Sequence, residues 1–159
     1  MVVGNVGVGS PPVRPYLQAE IDLVRLIRLL LADDNCEILE TVAEMLQPRY
    51  VVVAALSDGA SVLQQAPALN PDVIVLDISL GDTTGFEVVR RLKQAGVPAK
   101  VIFLTVHETI DFVRAAFDLG AAGYIFKSRI SSDLIEAIDT ICAGGRFSSA
   151  DVAASSSSC

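Results

Sequence analysis

Runs of four to six mainly apolar residues recur along the chain and alternate with segments of a different pattern. The runs occupy positions 27–32, 50–55, 72–77, 100–105 and 123–126. After each run comes a turn, and then a segment in which apolar residues repeat with the 3.6-residue period of a helix. These helical segments lie near 35–47, 59–66, 84–95, 109–119 and 131–143. Alternating strands and helices predict a parallel sheet with helices on both faces.

The predicted fold class is α/β. Strands that are buried on both faces read as continuous Val/Ile/Leu runs, as these do. Crossover connections between parallel strands are right-handed, which leaves few topologies. A compact chain of five strands and five helices suits the flavodoxin-like, doubly wound five-stranded parallel sheet with strand order 2-1-3-4-5.

The two ends of the chain differ from the alternating middle. Residues 1–24 are rich in Gly and Pro and are predicted to form a flexible extension, with room for a short helix at the helically spaced Leu17, Ile21 and Val24. Residues 25–144 form the predicted domain. Residues 145–159, mostly Ser and Ala after the glycine pair, have too little apolar surface for another element and are predicted to be a linker or tail.

Composition narrows the possible partners and location. The chain is 52% hydrophobic, but its apolar stretches are interrupted well short of the roughly 18 residues that a membrane span needs. A net charge of −7 opposes direct binding of this segment to nucleic acid. The three cysteines show no CxxC spacing, which favours reduced thiols in a cytoplasmic protein without a signal peptide. Cys36 is interpreted as a small core residue.

Acidic residues end two of the predicted strands. Asp33 and Asp34 follow the first strand and Asp77 ends the third. In this strand order, the crevice that binds ligands opens between the carboxyl ends of those two strands. Three neighbouring carboxylates repel one another unless a cation lies among them, and oxygen ligands favour Mg²⁺.

Two further polar residues are expected at the same crevice. Thr105 ends the fourth strand and offers a hydroxyl donor, and Lys127 directly follows the fifth strand and offers an ammonium group. A carboxylate nucleophile can form an acyl phosphate, and the cations would offset charge on the transferred phosphoryl group. The set therefore predicts a phosphoryl-transfer site.

The stretch from Ile27 to Gly144 resembles the receiver domain of bacterial two-component response regulators. Four motifs carry the resemblance, in the right order and spacing: LLLADDN, PDVIVLDISLGDTTGFEVVRRLK, VIFLTVHE and GAAGYIFK. The ending LIEAIDTICAGGRFSSADVA is similar to the last helix and linker of the NarL/FixJ class.

The resemblance implies a role for each site residue. Asp77 would be the phosphoacceptor, with Mg²⁺ held by Asp77, by Asp34 directly, by Asp33 mainly through water, and by the Ser79 backbone carbonyl. Thr105 and Lys127 would bind the phosphoryl group. Tyr124 would turn inward behind Thr105 as part of the switch. Ser79 and His107 would flank the path of hydrolytic water and set the lifetime of the phosphoryl group.

The resemblance also implies a signalling module and not an enzyme, one that phosphorylates itself and slowly loses the phosphoryl group. The donor would be a histidine kinase or a histidine phosphotransfer protein, and phosphorylation would favour a homodimer. Output would be transcription through a helix-turn-helix domain that this sequence does not contain. The sequence departs from the family pattern at Gly81, where Pro is usual, and at Ser128, where many receivers have a cis proline.

Two other interpretations remain open. The chain could be a pseudo-receiver that keeps the fold for dimerisation or docking. It could also be an Asp-nucleophile phosphatase, although that chemistry needs a second acid two residues after the nucleophile, where this chain has Ser79.

Overall fold

The computed structural model of the protein describes residues 26–150. The predicted extension over 1–24, with its short helix, lies outside the described residues, as does the end of the predicted tail from 151. The strands are β1 (Arg28–Ala32), β2 (Val51–Leu56), β3 (Val73–Leu76), β4 (Ser79–Leu80), β5 (Thr83–Thr84), β6 (Lys100–Thr105), β7 (Gly123–Phe126) and β8 (Phe147–Ser148). The helices are α1 (Cys36–Leu46), α2 (Gly59–Leu69), α3 (Gly85–Gln94), α4 (Ile110–Asp118) and α5 (Ile130–Cys142), and a 3₁₀ turn spans Lys127–Arg129.

The main sheet is parallel and has the strand order β2-β1-β3-β6-β7-β8. Its first five strands reproduce the predicted order 2-1-3-4-5, so the flavodoxin-like fold class is confirmed. Strands β4 and β5 form a separate antiparallel hairpin between β3 and α3. The strand order reverses between β1 and β3, and the crevice expected at that reversal lies at the carboxyl ends of these strands.

Each face of the sheet packs against its own set of helices. Helices α1 and α5 cover one face, where apolar residues such as Leu31 and Ile125 meet Leu134 and Ile138 of α5. Helices α2, α3 and α4 cover the other face, which includes Phe103. Because successive residues of a strand point to opposite faces, both sets of strand residues must be apolar. This requirement explains the unbroken apolar runs.

Polar side chains mark where several of the helices begin. The Asn35 side chain accepts hydrogen bonds from the Glu37 and Ile38 amides at 3.0 and 3.2 Å and caps α1. The Thr84 hydroxyl caps α3 in the same way. Such caps satisfy amides that the helix leaves without partners. The longest helix, α5, has 13 residues, and within residues 26–150 no helix has the length and apolar character that crossing a bilayer requires.

A sixth parallel strand extends the sheet where the sequence predicted a linker or tail. In β8, Phe147 pairs with Gly123 and Ser148 with Tyr124. The Phe147 amide donates to the Ala122 carbonyl at 3.1 Å, and the partly buried Phe147 side chain packs against the α1/α5 core. The composition of residues 145–159 did not predict this strand, because its only large apolar side chain is Phe147 and its other contacts to the sheet edge are made by the backbone.

Candidate functional site

The register of the central strands brings two acidic residues together. Strands β1 and β3 pair in a register that sets Ala32 opposite Leu76. The residues that directly follow these strands, Asp33 and Asp77, therefore lie at the same edge of the sheet. The Asp77 amide donates to the Ala32 carbonyl at 3.0 Å and fixes this alignment. Both acids are buried, at 3% exposure for Asp33 and 5% for Asp77. Burial of two acids in contact demands a nearby positive charge.

Asp34 completes a cluster of three carboxylates. One oxygen from each of Asp33, Asp34 and Asp77 lies within 4.8 Å of the others. Asp34 is exposed while the other two are buried, so the cluster opens to solvent on the Asp34 side. The structure thus brings together the three acids that the sequence placed in one crevice.

Lys127 supplies a positive charge at the base of the cluster. Strands β6 and β7 pair with Thr105 opposite Phe126, which places Lys127 just beyond the carboxyl edge of the sheet. Its Nζ lies 2.7 Å from Asp33 Oδ2 and 3.0 Å from Asp77 Oδ2. Burial alone would lower the pKa of this ammonium, but its hydrogen bonds and its attraction to the two carboxylates outweigh burial and raise the pKa. Lys127 is therefore held in its charged form.

The two buried carboxylates remain only partly compensated. Burial raises the pKa of the Asp33 carboxyl, although bonds from Lys127 and the Asn35 amide oppose the shift. At Asp77, Oδ2 pairs with Lys127, whereas Oδ1 is buried without a hydrogen-bond partner. A buried carboxylate oxygen without a partner is costly. It is also free to take a new bond.

The donor atoms of this cluster suit a small divalent cation. Three ionised carboxylates and one ammonium leave two negative charges, which Mg²⁺ would balance. Mg²⁺ prefers oxygen ligands and usually keeps several waters, and the exposed Asp34 leaves room for water on the open side. The unpartnered Asp77 Oδ1 and the exposed Asp34 indicate that the residues present fit the ion.

Thr105, His107 and Tyr124 form a second connected group beside the acids. The His107 amide donates to Thr105 Oγ1 at 3.3 Å, and the Tyr124 hydroxyl donates to the His107 carbonyl at 2.6 Å. Thr105 and Tyr124 are fully buried. Burial raises the pKa of the Tyr124 hydroxyl well above its usual value, with the charges of Asp77 and Glu108 adding to the shift. The backbone of His107 therefore links Thr105 to Tyr124 through two hydrogen bonds.

The His107 side chain is partly covered by α4. Its ring stacks on Phe112, with the two ring centres 4.3 Å apart and the planes inclined by 13°. Ser79 lies in β4, is exposed, and pairs with Thr84 across the hairpin. The structure thus places Ser79 in the short β4–β5 hairpin that follows β3 and His107 in the loop that follows β6. Their predicted effect on phosphoryl lifetime stays a prediction.

We expect Tyr124→Phe to lower the free energy of unfolding by about 1 kcal/mol, because it removes one buried hydrogen bond and keeps the ring. Urea denaturation would measure the loss. Phe103→Leu, on the neighbouring strand, is a control that changes packing without touching a hydrogen bond. An unfolding free energy of Tyr124→Phe equal to that of the wild type would mean that the bond to His107 contributes nothing to the folded state.

Two glycines near Asp77 have a structural role that the sequence analysis missed. A β-carbon on Gly85, the first residue of α3, would meet the Asp77 carbonyl oxygen and the Ile78 backbone, so only glycine lets the helix approach this closely. Gly81, where the family usually has Pro, has a φ of +77° in the turn between β4 and β5. Proline cannot adopt a positive φ, so the turn as it stands would not accept the residue that is usual at this position.

The peptide bond between Lys127 and Ser128 is trans, since residues 26–150 contain no cis peptide. The sequence left this geometry open. Ser128 Oγ instead donates to Glu108 Oε2 at 3.0 Å, which joins the 3₁₀ turn to the loop after β6. Lys127 therefore reaches both acids without a cis bond.

The chain is similar to a large set of characterised proteins. Residues 29–139 match the family described as the response regulator receiver domain. The transcriptional regulatory protein DegU of Brevibacillus brevis is 32% identical over 76% of this chain and 52% of its own length. The nitrate/nitrite response regulator protein NarP of Escherichia coli is 35% identical over 70% of this chain and 53% of its own length.

A solved structure shares the fold over most of its length. A two-component response regulator of the LuxR family from Aurantimonas sp. SI85-9A1 superposes with a TM-score of 0.75 at 32% identity, covering 80% of this chain and 93% of that chain. The chain spans about half the length of the curated relatives it matches.

Proposed function

This chain belongs to the response regulator receiver domain family, and on that premise we propose that it is a phosphoacceptor that takes a phosphoryl group onto Asp77 in the presence of Mg²⁺. One observation carries the proposal most directly. Asp77 Oδ1 is buried and has no hydrogen-bond partner, while Lys127 and two further carboxylates lie around it. A nucleophile needs such a free oxygen, held in a fixed position beside groups that bind the incoming charge.

Each residue of the cluster has a role in this proposal. Asp77 Oδ1 forms the new O–P bond as the bond between phosphorus and the donor's leaving group breaks. Lys127 and Thr105 bind the phosphoryl oxygens. Asp34, Asp33, Asp77 and the Ser79 carbonyl would hold Mg²⁺, which supplies charge to offset the phosphoryl oxygens. Ser79 and His107 flank the acyl phosphate and set its rate of hydrolysis.

The proposed donor is a sensor histidine kinase or a histidine phosphotransfer protein in the cytoplasm. The proposed output is control of transcription, because the relatives DegU and NarP are named as a transcriptional regulatory protein and a response regulator. With its net charge of −7 the chain is a poor direct ligand for DNA, so the signal leaves through protein contacts, among them a homodimer formed on phosphorylation. Thr105, with Tyr124 behind it, carries the change away from Asp77.

The direct test uses acetyl phosphate as a small phosphodonor. Incubation of the full chain with acetyl phosphate and Mg²⁺ should add one phosphoryl group, measured by intact mass spectrometry. The same incubation with EDTA should leave the mass unchanged, because the transferred charge is then balanced by Lys127 alone. An unmodified chain in both samples would favour the pseudo-receiver, which keeps the fold for docking without chemistry.

We expect Mg²⁺ to raise the melting temperature of the protein, because the ion relieves repulsion among the three acids. At about 100 times the dissociation constant, the gain in unfolding free energy is about 2.7 kcal/mol. Asp34→Asn should remove most of this shift. Melts recorded by differential scanning fluorimetry, with and without Mg²⁺, provide the measurement.

Glu40→Gln is the matched control for the loss of one charge, because Glu40 is an exposed acid on α1 outside the cluster. Its Mg²⁺ shift should equal that of the wild type. Equal shifts in all three proteins, Asp34→Asn included, would place the ion elsewhere on the chain.

A further inference from the structure

Asp133 is a buried carboxylate that the phosphoacceptor site does not use. It lies in the first turn of α5 and is 6% exposed. Four hydrogen bonds reach it: two from Arg129 at 2.8 and 3.3 Å, one from Ser132 Oγ at 3.0 Å and one from Ser149 Oγ at 2.7 Å. The donors Arg129 and Ser132 belong to the 3₁₀ turn and to the first turn of α5, whereas Ser149 comes from the segment after β8.

Ser149 joins this carboxylate to the edge of the sheet. Its hydroxyl donates to Asp133 Oδ2 and accepts from the Phe126 amide at 3.1 Å, and its own amide donates to the Tyr124 carbonyl at 2.8 Å. The hydroxyl of Ser149 thus connects the segment 147–150 both to α5 and to Phe126, the last residue of β7. We name this set of contacts between Asp133, Ser149 and Phe126 the clasp.

The clasp lies next to Lys127 along the chain. Phe126 immediately precedes Lys127, and Arg129 shares with Lys127 the 3₁₀ turn that leads into α5. Lys127 Nζ contacts both buried acids, at 2.7 and 3.0 Å. A displacement of Lys127 therefore acts on both ends of the clasp, through the Phe126 amide on one side and through Arg129 and Asp133 on the other.

We propose that phosphorylation of Asp77 loosens the clasp. The segment 147–150 is then held less tightly against β7 and α5, and the direction of the chain at the end of the receiver domain changes. This inference rests on the proposed function. Phosphorylation replaces the single negative charge of the Asp77 carboxylate with nearly two on the phosphoryl oxygens, a net gain of about one, and places that charge farther out in the crevice. Lys127 then moves outward to the phosphoryl oxygens and draws Phe126 and the 3₁₀ turn with it. Asp133 stays in place, because α5 is anchored to the sheet by the buried Leu134 and Ile138. Ser149 cannot keep its bonds to both the displaced Phe126 amide and Asp133, so one of its hydroxyl bonds breaks.

Hydrogen exchange of the full chain tests this, with Mg²⁺ and beryllofluoride as the mimic of the phosphoryl group. The amides of Phe147 and Ser149 report on the segment, because they donate to Ala122 and Tyr124 across the edge of the sheet. Loss of one hydrogen bond should speed their exchange by about fivefold. Fluorine NMR of the same sample shows whether the mimic occupies Asp77.

Two single substitutions separate the clasp from general effects on Asp133. Ser149→Ala removes the hydroxyl that bridges the segment to Asp133, so the free protein should already exchange about fivefold faster at these amides, and beryllofluoride should add little. Ser132→Ala removes one bond to the same carboxylate without touching the segment. Its exchange at Phe147 should match the wild type.

The outcomes distinguish this inference from the function on which it rests. Bound mimic with unchanged or slower exchange at Phe147 and Ser149 overturns the clasp and leaves the phosphoacceptor intact. Wild-type exchange rates in Ser149→Ala overturn the clasp as well. Failure of the mimic to bind in wild type, where Asp77 is intact, overturns the proposed function and the coupling together. The wild-type comparison needs no variant, so it stands even where a substitution unfolds the chain.

Discussion

Asp77→Asn should abolish phosphoryl uptake. After incubation with acetyl phosphate and Mg²⁺, the wild type gains the mass of one phosphoryl group, and the variant gains none. The amide keeps the size of the side chain but lacks the anionic oxygen that attacks phosphorus. The neighbouring Asp33 cannot replace it, because its Oδ1 accepts from the Asn35 amide and its Oδ2 lies against Lys127.

Asp82→Asn is the matched control for this loss of charge. Asp82 is an exposed acid of the turn between β4 and β5, five residues beyond Asp77 in sequence, and its replacement should leave uptake at the wild-type level. Labelling of Asp77→Asn to the extent of the wild type would show that another carboxylate is the acceptor. Loss of labelling in both variants would instead indicate that the acidic character of the loop matters more than any one side chain.

Lys127→Met should destabilise the protein by about 3 kcal/mol in the absence of Mg²⁺, because removal of one partner from a buried ion pair leaves the other charges uncompensated. Methionine keeps most of the apolar length of lysine. The acids affected are Asp33 and Asp77, whose side chains are 4% and 6% exposed. Urea denaturation with and without Mg²⁺ would measure the loss, and Mg²⁺ should recover more stability in the variant than in the wild type.

The loss of unfolding free energy in Lys127→Met should decrease as the pH falls. Burial already raises the pKa of Asp33, so the folded state holds a proton there more tightly than the unfolded state does. Such an acid destabilises the folded state fully at a pH above its folded pKa. This penalty declines as the pH falls through the folded pKa, and it is gone below the unfolded pKa. The stability loss of Lys127→Met should therefore shrink as the solution is made more acidic.

Lys93→Met tests whether the effect belongs to the site. Lys93 is an exposed lysine near the end of α3, and substitutions at such positions usually change stability by no more than about 0.5 kcal/mol. A loss as large for Lys93→Met as for Lys127→Met would contradict the assignment of the effect to the buried acids.

The fold could be predicted from the sequence because its strands are buried on both faces. That burial produces unbroken apolar runs such as 72–77, and the observed strand Val73–Leu76 lies within this one. The candidate site followed from the same pattern. Once the strand order is fixed, residues just beyond the strand ends must meet, which is how Asp33, Asp77 and Lys127 come into contact.

What the sequence did not reveal depends on contacts between distant residues. The strand Phe147–Ser148 forms only because the edge of β7 is open there, and nothing in a Ser/Ala-rich stretch signals that edge. Cys36 was predicted in the core from its helical spacing, and that prediction is wrong. It is the first residue of α1 and is exposed, because it lies at the margin of the face formed by the buried Leu39 and Val42, on the side of the exposed Glu40.

The need for glycine at position 85 was equally hidden. Its spacing from Asp77 looks unremarkable in sequence, and only the approach of α3 to the Asp77 carbonyl excludes a side chain. The trans peptide bond after Lys127 is another feature that the sequence did not reveal, because the local sequence did not define the backbone geometry there.

The short strand β8 also has a consequence for how the chain behaves at high concentration. It occupies the carbonyl groups of Ala122 and Tyr124 along one edge of the sheet. Unpaired backbone groups on an edge strand are a template on which further strands of other molecules can add. A fragment that stops at Gly144 would keep the whole acidic cluster and yet uncover this edge. The choice of the fragment's end, well away from the chemistry, therefore sets how much of the β7 edge is open to strands of other molecules.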